Sequence, residues 1–160
     1  MNLNRFFERN KFLYYIKNII LDILPRAIFR YYLNYWKKQQ YRYPSTLIKE
    51  RVGYYCKLQK ASISKESVSL KNFKKKGNKS MYYYDFMQIA RYFSPTLKVL
   101  CLFGDVDKKL EKPTFVKSRP ILNNENSVIL KLNKLRHFNF LNDTKNFKEK
   151  KNKVIWRGVI

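Results

Sequence analysis

Two carboxylates close the most apolar strand-like segment of the chain: residues 99–103 (VLCLF) run into Gly104, Asp105, Val106 and Asp107. A carboxylate at a strand end acts as a general base when it lies within hydrogen-bond reach of a hydroxyl. Open α/β sheets bind their ligands in the crevice beyond the carboxyl ends of the strands, which is where Asp105 falls. Asp107 alternates with it, so one of the two faces any given cleft. The same pair also suits a turn or a helix cap. In a chain with 11 acidic residues against 35 basic ones, a doubled carboxylate at this place stands out.

Cations follow. Lys117-Ser118-Arg119-Pro120 is a compact basic turn after a short β-like run at residues 114–116. Arg119 offers a planar fork that holds a phosphate bidentately, whereas Lys117 meets one as a point charge. A plain surface turn accounts for the same residues. Arg136 and His137 place a cation beside the one imidazole of the chain, where a structural hydrogen bond is the simpler role. Near the end of the chain (KVIWRGVI), Arg157-Gly158 joins a charge suited to a diphosphate to a backbone that permits close approach. Two cysteines, Cys56 and Cys101, and one histidine make neither a disulfide framework nor a metal site. Cys101 reads as a small buried hydrophobe, and the cysteine usage fits a reducing, cytoplasmic compartment.

The elements that must position these groups alternate between helix and strand. Residues 5–39 read as helical, with Phe12, Ile16, Ile19, Ile20 and Ile23 at helical spacing. Lys17, Asp22 and Pro25 interrupt the run at about half the length of a membrane span. The following RAIFRYYLNYWKKQQYRY is basic and aromatic, which suits either a solvated helix face or a membrane interface. A helix start at Pro44-Ser45, a strand at 68–70, a basic loop at Lys74 to Lys76, and a helix over 81–93 come next. Strands at 98–103, 114–116, 127–132 and 154–156 complete the pattern. It predicts an α/β fold with a mainly parallel sheet. Residues 1–43 form a helical segment and 44–160 the body.

Composition sets outer limits. At 160 residues the chain holds one domain with a real core. Hydrophobic content of 45% and only four glycines exclude a disordered or linker protein. A net charge of +24 calls for nucleic acid, an anionic membrane or a phosphate-bearing substrate, with AT-rich coding as a bland contributor. No nucleic-acid-binding motif is present and the basic residues are spread over all segments, so a basic nucleic-acid-binding protein is the alternative reading rather than the first.

Taken in order, RVGYY, YYYDF with RYF, FGDV, PTFVKSRPI, NSVILKLNKLRHFNFLND and IWRG resemble glycosyltransferase family 90, over residues 45–160 and in its lipopolysaccharide-core branch. The resemblance implies a GT-B enzyme of two Rossmann-like halves, with a nucleotide-sugar donor and no metal or other cofactor. In the family's protein O-glucosyltransferase branch the Asp at this strand end is the catalytic base. Its match is Asp105, with Asp107 as the alternative where that branch has proline. Arg157 matches the Arg of an aromatic-Arg-Gly turn that opens a donor-binding loop. The chain thus reads as an incomplete GT-B fold: one Rossmann-like half with a parallel sheet, preceded by N-terminal helices and truncated before the donor-binding half. It is expected to be inactive alone. The implied acceptor is lipopolysaccharide core, at the cytoplasmic face of the bacterial inner membrane, with an anionic surface and a missing C-terminal half as further partners.

Overall fold

Asn10 starts the first helix by accepting the backbone N–H groups of Phe12 and Leu13 on its side chain (2.9 and 3.3 Å), two donors that a helix start otherwise leaves unpaired. The structure is a computed structural model that describes residues 10–60, 62–75, 77, 80–137 and 143–154, with His137 as backbone only. Helix α1 spans Lys11–Ile23. Pro25, with its fixed φ, separates it from α2, Arg26–Gln39. Lys37 and Lys38 lie in the last turn of α2, where the helix dipole favours cations. A 3-10 turn, Gln40–Arg42, leads through Pro44 into α3, Ser45–Tyr55.

The body is a small mixed sheet with one helix laid on it. Strand β1, Val68–Ser69, pairs antiparallel with β2, Lys98–Val99, placing Val68 opposite Val99. Strand β3, Thr114–Val116, pairs parallel with β4, Ser127–Ile129, in the register Thr114–Ser127, Phe115–Val128 and Val116–Ile129. One parallel bridge, Cys101 to Phe115, joins the two pairs. Helix α4, Ser80–Ala90, supplies Phe86, Met87 and Ala90 to a core completed by Leu70 and Leu132. Phe115 and Phe73 meet the Phe86 ring at 5.6 and 5.0 Å. A short helix α5, Lys134–His137, follows β4, and a 3-10 turn, Phe147–Glu149, comes last.

Mixed helix and sheet with a parallel pair agrees with an α/β fold. Two features differ from the expected pattern. The edge pair β1–β2 is antiparallel. The parallel pair β3–β4 is also joined by residues 117–126 without a helix, a short link for a parallel crossover. Pro120 and the asparagines explain it. The Asn124 side chain donates to the Pro120 and Ile121 carbonyls, both at 2.7 Å. Asn123 takes the left-handed φ of 53° that asparagine tolerates, so the loop closes on itself. The strands expected at 98–103 and 127–132 are shorter, Lys98–Val99 and Ser127–Ile129, and beyond β2 Leu100 and Leu102 contribute single contacts to Phe115 rather than a continuous ladder. Residues 155–160, which include most of the strand expected at 154–156, lie outside the described residues, and Val154 is exposed.

The N-terminal helices are fastened to the body by polar contacts. Tyr14 donates to Asp85 of α4 at 2.7 Å. Arg26 donates to the Leu70 carbonyl at 2.8 Å. Asp22 pairs with Arg91 at 3.0 Å, and Arg91 also caps the Phe29 ring at 5.2 Å. Burial pushes the Asp22 carboxyl up and the Arg91 guanidinium down, and their mutual attraction opposes both shifts.

Candidate functional site

The parallel strands fix the direction of the site. The segment through Cys101, β3 and β4 all run the same way, so Gly104-Asp105, Lys117-Ser118 and the residues after Ile129 leave the sheet at one edge. Gly104 makes the exit turn with φ of +115°, a conformation that side-chain-bearing residues rarely adopt. Beyond it Val106 turns inward and is buried, while its N–H donates to the Ser118 hydroxyl at 2.9 Å. That bond ties the acidic loop to the basic turn.

With Val106 anchored, Asp105 is held outward. Its side chain is 86% exposed, and its Oδ1 meets the Lys117 ammonium at 2.5 Å. Lys117 is itself largely covered, at 14% exposed, so a semi-buried cation holds a solvent-facing carboxylate in place. Asp107, the second carboxylate, is exposed on the far side of Val106. An anionic oxygen presented to solvent at the carboxyl end of parallel strands is equipped to accept a proton from a bound hydroxyl.

Arg119 faces elsewhere. Its guanidinium donates to the Ser127 carbonyl at 3.1 Å and to the Tyr54 carbonyl, and it lies 5.6 Å from the Tyr54 ring centroid. It therefore clamps the end of α3 onto β4. Arg136 is exposed on α5, its backbone N–H closing a turn onto Asn133. The His137 side chain and all of Arg157 and Gly158 lie outside the described residues. Among the described residues, no cluster of three or more histidines, cysteines and carboxylates is placed to hold a metal ion. The structure thus brings Asp105, Lys117 and Ser118 together and leaves Arg119 apart from them.

A second set of residues supports this edge from behind. Tyr82 stacks on Phe103 with centroids 5.3 Å apart, and Asn133 donates to the Tyr82 hydroxyl at 3.3 Å. Asn133 holds a left-handed φ of 61°, which turns the chain from β4 into α5. Asp85 accepts the Lys134 N–H at 2.8 Å on one oxygen and the Tyr14 hydroxyl on the other. Burial raises its pKa, and the Lys134 and Tyr14 hydrogen bonds oppose the shift. Sequence reasoning passed over Asp85, Tyr82 and Asn133 as site supports. The available signal was a lone acid inside the otherwise uncharged run MYYYDFMQIA.

Comparison with known proteins bears on what such an edge does. No family model matches the chain, and no solved structure matches it. It is similar to a protein named O-glucosyltransferase LpsA from Dichelobacter nodosus, 37% identical over 154 residues that make up 94% of this chain and 48% of that protein. The chain spans about half the length of the curated relative it matches, and across that half it is related to a glycosyltransferase.

Proposed function

We propose that this chain supplies the acceptor-side wall of a sugar-transfer site, in an enzyme of glycosyltransferase family 90 and GT-B architecture that adds a hexose to lipopolysaccharide core. The observation that carries this reading is the outward Asp105 carboxylate, set by Lys117 at the carboxyl end of parallel strands, in a chain 37% identical to an O-glucosyltransferase. In the reaction an acceptor hydroxyl attacks C1 of a nucleotide-activated hexose. The new C1–O bond forms as the bond from C1 to the diphosphate breaks. The hydroxyl proton passes to Asp105, and the diphosphate leaves with the electron pair. Asp107 is the alternative base. Arg157 and Gly158 are assigned to the diphosphate, where a cation and backbone dipoles stabilise the departing charge. Lys117 serves by orienting the base, and Arg119 by fixing the turn that carries Lys117.

The test has two parts. Core oligosaccharide is titrated into isotope-labelled chain, and the amide shifts are expected to centre on residues 103–107 and 117–118. Shifts confined to other surfaces, or none at millimolar oligosaccharide, overturn the assignment. Transfer from nucleotide-activated glucose, in a polypeptide long enough to show it, is expected to fall about 100-fold or more in Asp105→Asn. Loss in Asp107→Asn with Asp105→Asn unimpaired moves the base to Asp107. Strong, salt-dependent shifts with a short RNA and none with the oligosaccharide favour the nucleic-acid alternative.

A further inference from the structure

Helix α1 is amphipathic, yet it is mounted with its polar side inward. Tyr14 and Asn18 are its buried residues, and Asp22, one turn further on, turns to Arg91. Asn18 is fully enclosed, donating to the Tyr14 carbonyl at 2.8 Å. The opposite face carries Phe12, Ile16, Ile19, Ile20 and Ile23, all exposed, with Phe12 at 71% and Ile23 at 77%. Their spacing puts them on one side of the cylinder, about half a turn from Tyr14. Leu24 and Ile28 extend the exposed apolar run across Pro25 into α2. A contiguous apolar face of this kind marks a contact surface.

The chemistry around that face identifies the occupant. Along α2, Ile28, Tyr31, Tyr35 and Lys38 follow one another at helical spacing and are exposed. Arg30 and Lys37 are exposed on the same helix. Asp22 is the only carboxylate between residues 10 and 43, and Arg91 takes it. Exposed isoleucines beside tyrosines and exposed cations match the layering of a bilayer surface. Apolar groups enter the acyl boundary, aromatic rings sit at headgroup level, and ammonium and guanidinium groups meet lipid phosphates. The net charge of +24 adds long-range attraction to an anionic surface. Among the described residues no helix is long and apolar enough to cross a membrane, so α1 would lie in the plane of the surface. We infer that α1 and α2 dock this chain on an anionic lipid bilayer, with the isoleucine face of α1 inserted and the cations of α2 on the headgroups. The docking requires none of the sugar-transfer chemistry.

The experiment is co-sedimentation of the chain with vesicles of phosphatidylcholine alone or with about 30% phosphatidylglycerol, enough to give a negative surface potential, at low and high salt. The variants are Ile16→Glu/Ile23→Glu, which changes only exposed positions, and Arg30→Gln/Lys37→Gln/Lys38→Gln. Circular dichroism confirms that each folds. Binding to the anionic vesicles is expected, weakening at high salt and falling about tenfold or more in both variants. Anionic binding undiminished in Ile16→Glu/Ile23→Glu reduces the effect to diffuse charge and overturns the inference. Absence of vesicle binding overturns it too. If vesicle binding is absent and sedimentation equilibrium shows a dimer that this variant dissolves, the face is an interface between copies of the chain.

Discussion

Tyr14 of α1 donates its hydroxyl hydrogen to Asp85 of α4 at 2.7 Å, across 71 residues of sequence. The other oxygen of the same carboxylate accepts the Lys134 N–H at 2.8 Å. One buried group therefore fastens the N-terminal helix, the sheet-covering helix and the start of α5 together. The contact also reaches the candidate site, because Asn133 beside Lys134 holds the Tyr82 hydroxyl, and Tyr82 stacks on Phe103 next to Gly104. Packing at the first helix and geometry at the strand end are thus linked through three side chains.

Asp85 makes stability depend on pH with a defined sign. Burial raises its pKa in the folded chain above the ordinary 3.8. The folded state then holds the proton more tightly than the unfolded one. Its contribution is most favourable below the unfolded value and is lost as pH rises through the raised folded value. Asp85→Asn removes the titration and keeps an acceptor for the Lys134 N–H. Urea midpoints measured between pH 3.5 and 7.5 are expected to show the native chain losing stability relative to this variant as pH increases. Parallel curves for the two proteins would show that the carboxyl titrates equally in both states. Tyr14→Phe, which leaves the carboxylate one donor short, is expected to cost about 1.5–3 kcal/mol at pH 7.

Arg119 gives a prediction that separates a structural clamp from a phosphate fork. Its guanidinium reaches the Ser127 and Tyr54 carbonyls from two separate nitrogens held in one plane, a span that the single nitrogen of an ammonium does not reproduce. Arg119→Ala is expected to lower stability by about 1–2 kcal/mol. Arg119→Lys should recover less than half of that loss in the urea midpoint. Unchanged stability with weakened nucleotide binding would return the residue to the phosphate role.

What the sequence made legible follows the range of the interactions. The strand at Thr114–Val116 and the helix over Ser80–Ala90 depend on local pattern, and both stand where periodicity places them, within a few residues. The exposure of Asp105 follows from Gly104 and the buried Val106 beside it, again a local matter. Asp85 and the carbonyl contacts of Arg119 escaped because the partners lie far off in sequence: Tyr14 at 71 residues, Lys134 at 49 and Tyr54 at 65. No local pattern encodes such pairings. The isoleucine periodicity of α1 announced a helix but not its orientation. Apolar residues ordinarily face the core, and here the polar contacts of Tyr14 with Asp85 and of Asp22 with Arg91 turn that helix over.

Cys101 tests the sheet itself. It bridges to Phe115 at the junction of the two strand pairs, and burial alone pushes its thiol up to about 12. The thiolate is the reactive form, so at pH 8 the folded chain presents almost none of it at this position. Unfolding returns the thiol to its ordinary range and exposes it fully. Alkylation by iodoacetamide, followed peptide by peptide in mass spectrometry, is expected to be at least about 100-fold slower at Cys101 in buffer than in 8 M urea (a fully denaturing level). Because stability limits access, the Cys101 rate should rise in Arg119→Ala, which releases the end of α3 from β4. Cys101 is only half-buried, so native labelling as fast as that in urea, rather than mere reactivity, would mean that the bridge between the antiparallel and parallel pairs opens freely. The strand end that carries Asp105 would then have no fixed base.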